Sequence, residues 1–166
     1  MKWLKKRFQK DPKLFKKYTA KIRKLQDNGF SRTIETSDKG SGWFLPHFPA
    51  FHPQKSDDVR VVKDGDARFD ATFLNDQLLQ GPDINNTLVG VLIRFREGEI
   101  AVAADIEGMF HQVRIAPQHT KYLRFLRFQN DDLNGPIEER EKLIHPFWRS
   151  TVSYCFKFHF EKDGGR

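Results

Sequence analysis

Leu14, Phe15, Tyr18, Ile22 and Leu25 recur at intervals of three and four, and lysines fill many of the positions between them. That spacing lines the apolar side chains along one face of a helix. Asp11-Pro12 predicts its start, with Asp as the cap and Pro supplying the fixed φ of the first turn, and Asn28-Gly29 predicts its stop. Residues 1–30 therefore read as two helices, the second amphipathic and in need of a surface to pack on.

Beyond Gly29 the period changes. Residues 31–42, SRTIETSDKGSG, are polar with two glycines and predict a mobile connector. The stretch from Trp43 to Pro49 is aromatic and punctuated by proline, which predicts an extended edge segment. Val59-Arg60-Val61-Val62 predicts a short strand after a polar turn at residues 54–58. Residues 74–82 end in a turn, and Pro82 opens a helix carrying Ile84, Leu88, Val91, Leu92 and Phe95, closed by Gly98. The small-residue run Ile100-Ala101-Val102-Ala103-Ala104-Asp105 predicts a buried strand with Asp105 at its carboxyl end. His111 to Ile115 alternates as a strand does, Pro117 to Thr120 predicts a helical turn, and Tyr122 to Phe128 suits a strand while tolerating a helix. This order predicts an α+β fold, a small mixed or antiparallel sheet with packed helices, rather than a bundle.

Composition narrows the class. The chain has 166 residues, one domain's worth or a piece of a larger protein, with 38% apolar and 31% charged residues and 16 Phe. No apolar run is long enough for a transmembrane helix, and the opening MKWLKKRFQK has no apolar stretch behind it to make a secretory signal. An intracellular protein without membrane partners is expected, in the cytoplasm or the nucleus. Cys155 is the single cysteine, which excludes an intramolecular disulfide and a Cys-rich zinc site. The six histidines show no metal-ligand spacing, Gly40-Ser41-Gly42 lacks the lysine-bearing continuation of a P-loop, and there is no Gly-x-Ser-x-Gly elbow.

The net charge of +7 is unevenly placed: residues 1–30 carry eleven Lys/Arg against Asp11 and Asp27, a net of +9. A concentrated positive field attracts polyanions, with binding that weakens steeply in salt. Lys13, Lys16, Lys17 and Lys21 are the candidate nucleic-acid contacts, and a solvated helix face is the competing reading.

The segment Ala104-Asp105-Ile106-Glu107-Gly108-Met109-Phe110-His111-Gln112-Val113 resembles the first catalytic motif of reverse transcriptases, those of Pao/BEL long-terminal-repeat retrotransposons above all. Other pieces stand around it in that family's order: Trp43-Phe44-Leu45-Pro46-His47, Val59-Arg60-Val61-Val62, Leu74-Asn75-Asp76, Leu79-Gln80-Gly81-Pro82, the run from Leu88 to Arg96, and Leu123-Arg124-Phe125-Leu126. The basic start, through Lys10-Asp11-Pro12 to Asn28-Gly29-Phe30, is similar to the segment the family carries before its polymerase core. The likeness spans roughly residues 1 to 128 and divides the chain into a basic helical segment (1–30), reverse-transcriptase fingers with a partial palm (31–128) and a tail without clear likeness (129–166).

The resemblance implies an RNA-directed DNA polymerase. Its partners would be a primer–template and a deoxynucleotide, with the rest of the polymerase and an RNase H portion downstream in a polyprotein. Its cofactor would be a pair of Mg²⁺ ions, between which a primer hydroxyl attacks the nucleotide's α-phosphate. By this likeness Asp105 is the first metal-binding carboxylate, and the Ile106 carbonyl lends the metal a further oxygen. Phe110 is the gate under the sugar that excludes a 2′-hydroxyl, and Arg60, with Lys55 in the same turn, reaches the nucleotide phosphates. A plain strand-end aspartate, a core phenylalanine and surface cations are the competing readings of these residues.

The departures bear on activity. Two Mg²⁺ ions need more negative charge than one aspartate supplies, and the family's Tyr-x-Asp-Asp hairpin is absent; Asp57-Asp58 and Asp131-Asp132 lack its tyrosine and apolar run. Lys63 stands where the family prefers an apolar residue, and after Phe128 only Trp148-Arg149-Ser150-Thr151-Val152 is faintly similar. The expectation is a catalytically incomplete reverse-transcriptase fragment with exposed apolar surface. The alternatives are one exon of a complete polymerase, a nucleic-acid-binding module without chemistry, and a decayed open reading frame.

Overall fold

The computed structural model describes residues 1–52, 55–79, 86–145 and 157–158. Helices α1 (Lys2–Lys10) and α2 (Pro12–Asp27) meet at Asp11. The Asp11 carboxylate accepts from the Leu14 N–H at 2.9 Å, and its own N–H donates to the Arg7 carbonyl. One residue thus ends the first helix and caps the second, a cap worth about 1 kcal/mol. At the far end Gly29 takes a left-handed φ of +66°. The Gly29 N–H donates to Gln26 O and the Phe30 N–H to Leu25 O, which satisfies carbonyls that a bare helix end would leave open. The predicted start and stop of α2 both hold.

The chain then enters a sheet at once. Strand β1 (Ser31–Thr33) pairs antiparallel with β6 (Ile137–Lys142), and β6 pairs antiparallel with β5 (Arg124–Phe128), giving the order β1-β6-β5. The expectation of a mobile connector over 31–42 is corrected accordingly: its first three residues are an edge strand and Thr36–Asp38 form a 3₁₀ turn. Charge rather than apolar alternation holds this edge. Arg32 Nε donates to Glu141 Oε1 at 2.6 Å, Thr33 Oγ1 to Glu138 at 2.7 Å, and Arg140 to both Thr33 Oγ1 and the Ser31 carbonyl.

Strands β2 (His47–His52) and β3 (Lys55–Lys63) form a second antiparallel pair, with His47 opposite Lys63 and Ala50 opposite Arg60. The strand reaches back to Lys55, which pairs with His52 across a bulge, so residues 55–58, expected in a polar turn, belong to the strand. A two-residue pairing of β4 (Leu78–Leu79) with β7 (Lys157–Phe158) completes the sheets of the described residues.

The main core lies where the helices meet the strands. Leu4 and Phe8 of α1, Leu14, Tyr18 and Ile22 of α2, Val59 of β3, and Phe125 and Phe128 of β5 pack together. Phe8 sits 5.1 Å from Phe15 and 4.8 Å from Tyr18, centroid to centroid, and Phe15 meets the edge of Phe128 at 6.3 Å. The amphipathic face read from the sequence is the face that is buried. A second cluster joins Leu45, Leu74, Ile115 and Leu123.

Three further expectations need correction. The helix expected from Pro82 to Gly98 is α3 (Leu88–Phe95); Thr87 caps it by accepting from the Gly90 N–H, and Pro82 and Ile84 lie outside the described residues. The strand expected over Ile100–Asp105 is an unpaired run with Ile100 86% and Val102 81% exposed. A buried strand needs ladder neighbours and cover on both faces, and among the described residues none runs beside this one. Of the next expected strand, His111 to Ile115, the first two residues belong instead to a 3₁₀ turn, Met109–Gln112, behind Gly108 at φ +57°, while Arg114 does bridge to Ile144. The turn at Pro117–Tyr122 and strand β5 are as expected. The class is α+β with small antiparallel sheets, and no described helix is long and apolar enough to cross a membrane.

Candidate nucleic-acid and nucleotide site

Burial of Leu14, Tyr18 and Ile22 turns the lysines of α2 outward, and Lys13, Lys16, Lys17 and Lys21 are all exposed. Lys21 donates to Asp58 of β3 at 2.7 Å across half-exposed surface, so the basic helix and the strand carrying Arg60 form one unit. Arg23 pairs with Asp131 on the other side. Arg60 itself points into solvent. Lys55 is the first residue of β3, and its side chain lies outside the described residues.

Asp105 is exposed, and its Oδ1 accepts from the next backbone N–H, that of Ile106, at 2.9 Å. Ile106 is exposed beside it. Phe110 is half-buried, its ring 5.8 Å from that of His145. Glu107 is the nearest acid in sequence to Asp105, yet among the described residues no three His, Cys, Asp or Glu side chains group closely enough to hold a metal. One solvent-facing carboxylate turned toward its own backbone does not fit a pair of Mg²⁺ ions, which together need several oxygen ligands. Cys155, His159 and the Trp148–Val152 stretch lie outside the described residues.

An enclosed polar contact lies elsewhere, between α2 and the strands. The Tyr18 hydroxyl meets His47 Nδ1, and His47 Nε2 donates to the Leu126 carbonyl at 2.6 Å. Only the neutral tautomer with its proton on Nε2 lets the tyrosine donate to Nδ1. Burial pushes His47 down to about 4, the Leu126 carbonyl opposing this and Lys63 and the amino terminus adding to it. Burial also raises the Tyr18 hydroxyl. The three groups tie α2, β2 and β5 together at one point.

Beside that tie Lys63 Nζ lies 4.4 Å over the ring of Phe125. Burial first, and then the charge of Lys142, drive Lys63 well below the ordinary lysine value. Burial alone takes Lys142 down to about 8. His111 is lowered by burial and then by Lys142, Lys63 and Lys24. In the sequence Lys63 stands out only as a departure from the family's pattern, and Lys142 does not stand out at all. The signal that could have found Lys142 is a lysine at a strand position where burial calls for an apolar side chain.

No protein-family model matches the chain, and no curated protein matches it.

Proposed function

We propose that these residues are the fingers and the beginning of the palm of a Pao/BEL-type reverse transcriptase, and that alone they do not extend a primer. The observation that carries this reading is the run of motifs between Trp43 and Phe128 in the family's order, with Asp105 in the first catalytic motif. Two features support it. Arg60 is exposed on a strand braced by α2, where a guanidinium fork can take phosphate oxygens. The Asp105 carboxylate faces solvent rather than apolar packing, and the unpaired run 100–105 is what a palm strand becomes when its sheet neighbours are supplied elsewhere.

The test is Mg²⁺-dependent primer extension by the 166-residue chain and by Asp105→Asn. Neither protein is expected to extend a primer, and robust extension that Asp105→Asn abolishes would overturn the claim of inactivity. A transcript that continues from near Phe128 into a Tyr-x-Asp-Asp hairpin would support the polymerase origin.

The exposed lysines of α2 favour a second reading, nucleic-acid binding without chemistry. A primer–template should then bind the native chain at low salt. Replacing Lys13, Lys16, Lys17 and Lys21 with glutamine should flatten the salt slope by about 0.7–0.9 for each phosphate no longer neutralised. Absence of binding at low salt would remove this reading.

A further inference from the structure

We propose that the cavity between the start of α1 and the segment from Phe44 to Phe48 holds an unpaired base of a single-stranded nucleic acid. The proposal deepens the binding reading above and rests on it. Phe44 bridges to Arg124, and past that bridge the link to β5 passes to the His47 ring on the Leu126 carbonyl. Trp3 and Leu4 of α1, the segment from Phe44 to Phe48, and Leu126 line a cavity of about 310 Å³, at the lower end of the range for small-ligand sites.

The cavity offers ring faces rather than polar edges. Trp3, Phe44 and Phe48 supply three aromatic side chains, and Leu45, Pro46 and Leu126 add apolar surface. Leu45 is buried, while Trp3 is 62% and Phe48 36% exposed, so the cavity opens to solvent on the side of these two rings. His47 is the one ionisable side chain in the lining, and both of its nitrogens are engaged, by Tyr18 and by the Leu126 carbonyl. A ligand with many polar edges finds few partners here, whereas a flat ring can stack.

Charge selects among flat rings. Residues 1–10 hold five Lys/Arg and no acid. Lys6 and Arg7, three and four residues after Trp3, share its side of α1, and the Arg7 guanidinium lies 5.4 Å from the Trp3 ring centre. Burial of Leu4 and Phe8 turns that side outward. On the β2 side Asp64, whose N–H donates to the Pro46 carbonyl, already accepts from the Asp66 N–H. Rings for stacking beside clustered cations match a base carried on a phosphate backbone. In a duplex the base faces cover one another, so the single strand is the form that fits.

Tryptophan fluorescence of the full chain, titrated at low salt with an oligothymidylate of about eight nucleotides and with a duplex of equal length, tests the site. The single strand is expected to bind more tightly than the duplex and to quench the emission. Trp3→Leu should remove that quench and weaken the single strand about tenfold, read by anisotropy of a labelled strand, while duplex binding stays unchanged. Trp3→Phe, which keeps a ring, should keep most of the affinity. Equal single-strand affinity in the native chain and Trp3→Leu overturns the base site and leaves the α2 lysine reading standing. Absence of binding by either nucleic acid removes both together. Quenching by a proline-rich peptide at lower concentration than by the oligothymidylate makes the cavity a peptide groove, and also overturns the proposal. Trp3 is exposed, so its loss spares the core; should Trp3→Leu still fail to fold, Phe48→Ala in the same lining is read by the same loss of single-strand affinity.

Discussion

Phe125→Ala is expected to lower stability by about 3–5 kcal/mol, the usual loss for a buried phenylalanine truncated to alanine. The ring is 0% exposed, contacts the edge of His47 at 5.8 Å centroid to centroid and lies under the Lys63 ammonium. Its removal opens a cavity and also strips Lys63 of its aromatic partner. Since whole domains are stable by only about 5–15 kcal/mol, much of the chain should unfold at moderate urea, measured by far-UV circular dichroism. Phe95→Ala provides the contrast. That ring is half-exposed on α3, and its loss should change stability by less than about 0.5 kcal/mol. Equal effects of the two substitutions would show that the helix–strand core is not where this fold keeps its stability.

The second large effect is a dependence on acid. His47 is held near 4 in the folded chain against about 6.5 when unfolded. The unfolded chain therefore binds the proton first as pH falls. The contribution is present in full above about pH 6.5 and is lost progressively as pH falls toward 4, to a total of about 3 kcal/mol. Protonating Nδ1 also sets an N–H against the tyrosine proton, so Tyr18 must turn its hydroxyl or leave. Urea midpoints at about pH 7.5 and about pH 4.5 should differ strongly in the native chain, and the difference should shrink in His47→Gln. An unchanged difference in that variant would assign the acid sensitivity to other groups.

Helix α2 is legible in the sequence because three independent signals agree on it: the three-four spacing, Asp11-Pro12 and Asn28-Gly29. Strands β3 and β5 are legible as β-prone apolar runs. Strands β1 and β6 are not, because Arg32, Glu138, Arg140 and Glu141 pair across the ladder and give no apolar alternation to read. The run 100–105 fails in the opposite way: its composition suits a strand, and pairing requires a neighbour that its own residues cannot provide. The candidate catalytic residues are legible through motif order alone, since Asp105 and Arg60 have no local periodicity that distinguishes them. The burial of Lys142 is invisible because nothing in its sequence neighbourhood announces that the fold will cover it.

The place of β6 between β1 and β5 has a consequence for how the chain is made. Ser31 leaves the ribosome early, and its ladder partner Lys142 leaves late. Closing so long a loop is slow, and Phe125 and Phe128 of β5, which pack on both amino-terminal helices, also leave late, so part of each helix's apolar side must wait uncovered while translation proceeds. Holding of the nascent polypeptide by a chaperone should therefore matter most during the interval before β5 and its partner β6 emerge, and a synonymous change that slows translation there would lengthen that exposure.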